Sequence, residues 1–182
     1  MRNKPKWCSV LLLWLVLLLA TSTVACGGAK PVLTQEEEEY LDSFYQSMAR
    51  VENASGKVCA CLHTPGPNST FDVPAPWTER WFMHILGGFT MIELEYSKWT
   101  DIKPPRSMID LHARYYEALL HLMAADVLTL EATEAALDQG STEIDQEDLD
   151  EIDDELNKGL EILDEVYYLA LKKEGIKPRY RF

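Results

Sequence analysis

The sequence predicts an all-α fold: an antiparallel up-down four-helix bundle behind a cleaved N-terminal signal peptide. Three features carry this. Four segments place apolar residues at three-to-four spacing, and no stretch alternates apolar and polar residues over a strand's length. Those segments begin or end at helix punctuation, namely hydroxyl or acidic starts and Gly or Pro stops. Their connections are short or proline-rich, which favours antiparallel neighbours.

The first 25 residues have the order of a secretory signal. Arg2, Lys4 and Lys6 make a positive start, Val10 to Ala20 is an uncharged Leu-rich run, and Thr23-Val24-Ala25 are small residues ahead of a cut. The run is shorter than the ~20 residues of a comfortable membrane span. The expected domain boundaries are 1–25 for the signal, 26–33 for a tether, 34–175 for the bundle and 176–182 for a basic C-terminal tail.

The bundle elements come in order. Thr34 with the run Glu36–Glu39 reads as a capped helix start, with acids at the positive end of the dipole. Leu41, Phe44, Met48 and Val51 form its apolar stripe, and the helix is expected to fade between Asn53 and Cys59. Residues 62–76 hold Pro65, Gly66, Pro67, Pro74 and Pro76 and are expected to be a loop. A second helix should run from about Pro76 to Trp99, with Trp81, Ile85, Gly88, Ile92, Tyr96 and Trp99 on one face. A third should run from Ser107 to Asp138, stopped by Gly140. Its core direction is expected along Ile109, Ala113, Tyr116, Leu120, Met123 and Val127. The fourth opens on the acids between Ser141 and Asp148 and carries Leu149, Ile152, Leu156, Leu160, Leu163, Val166 and Ala170 until Gly175 and Pro178 stop it.

"TVAC", residues 23–26, resembles the lipobox of bacterial lipoproteins, in which small residues precede a cysteine that is acylated and becomes the first residue of the mature chain. Val24 and Ala25 fit the positions before the cut, Thr23 departs from the usual Leu, and Gly27-Gly28 suits a flexible tether. The resemblance covers residues 1–28 alone. It implies Cys26 as the lipid attachment site, a bacterial cell-envelope location outside the cytoplasm, and the membrane as one partner. An ordinary cut leaving Cys26 as a thiol is the other reading.

Charge narrows the function. The chain has 17 Lys+Arg and 30 Asp+Glu, so losing residues 1–25 with their three basic groups leaves 14 against 30, a net charge of −16. Such a domain does not suit nucleic acid, whose phosphates need clustered Lys and Arg. Of the four cysteines only Cys59 and Cys61 lie within the bundle, too few for a disulfide framework, so the core must hold the fold.

Three candidate sites remain. Helix angles place His112 and Asp126 toward the interior of the third helix and His84 at the edge of the second helix's core face. A metal or cofactor pocket of His and carboxylate between helices is one reading. Core histidines satisfied by Tyr or Glu are the other. "CACLH", with Cys59, Cys61 and His63, offers a thiol or soft-metal site, against buried thiols or a reducible disulfide. Glu117 and His121, one turn apart, read as a surface pair. Ten acids between Asp138 and Glu155 lack the alternation and central Gly of a calcium loop. No nucleophile motif or phosphate loop is present, and no cofactor is specified. The leading expectation is a non-enzymatic binding or scaffolding module with an envelope protein as partner. A metal- or cofactor-binding bundle, or a thiol site, is the alternative.

Overall fold

The computed structural model of the chain describes residues 31–63, 76–141 and 143–176. The signal segment, Cys26, most of the tether, the proline-rich loop from 64 to 75 and the basic tail from 177 onward lie outside the described residues. The chain divides into two units, Met1–Val32 and Leu33–Phe182, and every described helix belongs to the second.

The described part of that unit is an all-helical bundle with four long helices and no strand. They are α1 (Gln35–Leu62), α2 (Glu79–Asp101), α3 (Ile109–Asp138) and α4 (Gln146–Lys173). A short 3-10 turn, Arg106–Met108, leads into α3. No described helix is long and apolar enough to cross a membrane.

The helix ends obey the local chemistry. Thr34 and Glu37 form a full capping box: the Thr34 hydroxyl accepts from the Glu37 amide, and the Glu37 carboxylate accepts from the Thr34 amide at 2.7 Å. Thr78 caps α2 by accepting from the Trp81 amide. α3 and α4 stop by one device. Gly140 and Gly175 take φ of 67° and 68°, and the amides of Ser141 and Ile176 reach back to the carbonyls of Ala136 and Leu171. This is the Schellman arrangement, in which a left-handed glycine turns the chain while closing the orphan carbonyls.

α1 does not fade after Asn53. It continues to Leu62, because Ala54, Ser55, Val58 and Cys61 are buried, and tertiary packing overrides the weak local propensity of the Asn-Ala-Ser-Gly stretch. α2 starts three residues later than expected, since Thr78 rather than Pro76 supplies the cap.

The core face of α3 also differs from expectation. Leu111, Tyr115, Ala118, Leu122, Ala125, Thr129, Ala132 and Ala136 are buried. Ile109, Leu120 and Val127, expected inside, are 51%, 46% and 52% exposed. The buried set has the small residues: Ala118 and Ala125 allow α4 close enough that a Cβ on Gly159 would meet Leu122 at 2.7 Å and the Ala118 carbonyl at 3.2 Å. α1 and α2 meet in the same way at Gly88, under Ala54 and Val58. Helix contact is most extensive within the pairs α1–α2 and α3–α4. The aromatic centre of the core joins the two pairs. Phe44 of α1, Trp99 of α2 and Tyr115 of α3 pack edge to face at centroid distances of 5.0–6.2 Å.

Candidate functional site

A polar cluster sits against those aromatic rings. Ser47 on α1 is fully buried, and its hydroxyl has three neighbours. It donates to Glu95 Oε2 at 2.5 Å, accepts the Trp99 indole N–H at 2.6 Å and lies 2.8 Å from the Tyr115 hydroxyl. One donor and two acceptor positions fill the capacity of a serine. Arg50, one turn further along α1, donates through Nε to Glu95 Oε1 at 2.5 Å. Burial works against charge on Glu95. The hydrogen bonds from Arg50 and Ser47, with the charges of Arg50 and Lys98, outweigh it and hold the carboxyl below the usual carboxylate range. Burial raises the Tyr115 phenol well above its ordinary value. The polar groups of the cluster bind one another, and Arg50 closes it on the side of solvent.

His112 belongs to the edge of this region. Its Nδ1 lies 3.1 Å from the Tyr40 hydroxyl, its ring tilts against Trp99 at 5.5 Å, and burial lowers its pKa. It is a half-buried histidine satisfied by a tyrosine. Asp126 is buried, as its helix angle suggested, but 14 residues further along α3 it stands about 21 Å from His112. His84 lines a groove of about 510 Å³ walled by α1 and α2 alone, with Arg50, Asn53, Lys57, Gly87 and Met91. The structure does not bring His84, His112 and Asp126 together. No group of three or more His, Cys, Asp or Glu among the described residues is placed to hold a metal ion.

Cys59 and Cys61 are both free thiols on α1, two residues apart and so pointing about 200° away from each other. Burial raises both, and the charge of Asp153 raises Cys59 further. They are protonated thiols in the packing, Cys61 beneath Trp81, whose indole donates to the Cys61 carbonyl at 2.8 Å. His63 turns away to Asp153 on α4, at 2.7 Å. Glu117 and His121 do not pair with each other: Glu117 takes Arg114, and His121 takes Glu155 at 2.6 Å, with Lys158 on the same carboxylate.

One cluster was not foreseen from the sequence, and one foreseen residue differs in its surroundings. The Ser47–Glu95 cluster needs residues from three helices, and only the apolar spacing around Ser47 hinted at its burial. Asp126, expected toward the interior, lies there without the histidine partners of the metal reading. Its Oδ1 is buried with no hydrogen-bond partner among the described residues, and burial, then the charge of Glu93, raises its pKa to about 6.

The outer face of α3 is the remaining surface of note. Ile109, Leu120, Val127, Leu130 and Leu137 are each 43–55% exposed. Ala113 is exposed in the same row, while Tyr116, stacked on Tyr96 of α2, and Met123, packed against the core, mark where the row meets the bundle. Scattered exposed Leu residues are ordinary, whereas these five large apolar residues share one helix face. No family model matches the chain, no curated protein matches it, and no solved structure matches it.

Proposed function

We propose that this protein is a lipid-anchored binding or scaffolding module of the bacterial cell envelope, held outside the cytoplasm by acyl chains on Cys26. The bundle is its working part, in up-down order. Residue pairs that run in opposite senses along neighbouring helices support that order: Arg50–Glu95 and Cys61–Trp81 for α1 and α2, Tyr96–Tyr116 and Trp99–His112 for α2 and α3, Arg114–Glu165 and His121–Glu155 for α3 and α4.

The observation that carries the binding role is the exposed apolar stripe on α3. The interior supports a non-enzymatic reading from the other side, since the Ser47–Glu95–Arg50 cluster is occupied by its own members and both thiols are held protonated. Replacing Cys26 with Ser in the full-length chain tests the anchor. The variant should move from the membrane to the soluble fraction, and the native mature chain should carry the added mass of acyl chains at its N-terminus. A native mature chain of unmodified mass sinks the proposal.

A further inference from the structure

α3 is apolar on two opposite faces, and the two faces share one register. The main buried seam runs Leu111, Tyr115, Ala118, Leu122, Ala125, Thr129, Ala132, Ala136, in steps of four and three, with Leu119 and Asp126 buried beside it. The outer seam runs Ile109, Ala113, Tyr116, Leu120, Met123, Val127, Leu130, then Glu134 and Leu137, in the same steps and two residues out of phase. Two residues are 200° on a helix, so the seams look in opposite directions. A four-three repeat is the spacing that receives a helix through knobs-into-holes packing. The inner seam has its mates in the bundle. The outer seam touches the bundle at Tyr116 and Met123 and leaves Ile109, Leu120, Val127, Leu130 and Leu137 open.

Charge states what covers the outer seam. The residues flanking it on one side are Asp110, Glu117, Ala124, Glu131 and Asp138, and Glu134 stands in the seam itself. Arg114 answers Glu117, while Asp110, Glu131 and Asp138 are exposed. On the other flank Asp126 is buried against the bundle, its Oδ1 without a hydrogen-bond partner among the described residues, so the acids open to a partner are those of the first flank. An antiparallel second copy would set Asp110 against Asp138 and Glu117 against Glu131, acid on acid. An anionic lipid surface meets the same repulsion.

Building on the binding-module reading, we propose that the outer seam of α3 docks an amphipathic helix of a partner protein, apolar at four-three spacing and flanked by Lys or Arg. The partner's basic flank faces Glu131 and Asp138, and its apolar edge covers Leu120, Val127 and Leu130.

The test uses the full chain and two labelled helical peptides with Leu at four-three spacing, one flanked by Lys and one by Glu, with sedimentation run in parallel. The Lys peptide should bind saturably and at least about tenfold more tightly than the Glu peptide. The double variant Leu120→Glu/Val127→Glu should lose at least about tenfold in affinity with helix content and melting unchanged, whereas Leu94→Glu on α2, outside the seam, should bind as the parent does. Equal binding of both peptides, no binding of the Lys peptide, or binding that survives the double variant overturns the proposal. So does a dimer of the chain that the double variant dissociates, which would make a second copy the occupant. Lipid at Cys26, read by mass on the same preparation, separates these failures from failure of the anchor.

Discussion

Ser47 Oγ and Glu95 Oε2 lie 2.5 Å apart across the α1–α2 interface, in a site where both side chains are out of water. The serine hydroxyl is the hub on which the Trp99 indole and the Tyr115 phenol also depend. Ser47→Ala removes one small group and strands three partners. We expect it to destabilise the protein by about 2–4 kcal/mol, because an unpaired buried polar group costs its full desolvation. Ser107→Ala removes a hydroxyl that bonds Glu37 at the exposed start of the bundle and should change stability by less than about 0.5 kcal/mol. Urea denaturation of the two variants checks the contrast. Equal, small effects would mean the cluster contributes nothing to the core.

Asp126 makes stability depend on pH in a direction that can be worked out. Its folded pKa, about 6, lies above the ordinary carboxylate value of 3.8, so between those values the folded state binds more protons than the unfolded one. Stability from this group is therefore present at low pH and lost as pH rises through about 6. Asp126→Asn keeps the shape and removes the charge. It should stabilise the domain by about 1–2 kcal/mol at pH 7.5 and give no gain at pH 4 and below. Thermal melts of both proteins across this range decide it. A variant no more stable than the parent at pH 7.5 would contradict a raised pKa.

Gly87 and Gly88 are adjacent and chemically identical, yet their substitutions should have opposite signs. A Cβ on Gly88 would fall 2.6 Å from Val58 Cγ2 and 3.1 Å from the Ala54 carbonyl oxygen, and backbone cannot step aside as a side chain can. Gly88→Ala should force α1 and α2 apart and cost about 1–3 kcal/mol. A Cβ on Gly87 meets nothing within 4 Å. There the helix preference for alanine acts alone, and Gly87→Ala should be neutral or stabilising by up to about 1 kcal/mol. Denaturation midpoints of the two single variants that move in the same direction would refute this reading.

How much was legible in the sequence depends on which forces are local. Thr34, Gly140 and Gly175 act on their own helix ends, so the starts and stops they mark were readable from residue type. The stripes of α2 and α4 were readable because each of those helices has one apolar face. α3 has two, and an angular average over Ile109, Leu120 and Val127 selects the outer one. What separates the faces is size: Ala118, Ala125 and Ala132 admit a neighbouring helix closely, and the outer seam has larger residues. The extension of α1 past Asn53 was not readable, because α2 imposes it. His112 and Asp126 each lie near the interior as their helix angles indicate, but their 14-residue separation along one helix denies them a shared site.

Tyr45 donates to Glu174 across 129 residues of chain, and Lys173 reaches the Ser107 carbonyl beside the start of α3. These links bear on the order in which the structure can be completed. α1–α2 and α3–α4 are each made from neighbours in the chain, the first joined across the 16 residues between Leu62 and Glu79 and the second across the seven between Asp138 and Gln146. The join between the two pairs begins at α3, where Tyr115 meets Phe44 and Ser47, and is completed by the last turn of α4, so a chain emerging N-terminus first keeps the α4-facing side of α1 open until nearly the whole domain has appeared. Long-range closure of this kind slows folding relative to a bundle held by adjacent helices alone. Tyr45, which meets the Tyr167 ring and Glu174 in the finished protein, lies on the side that waits longest for cover.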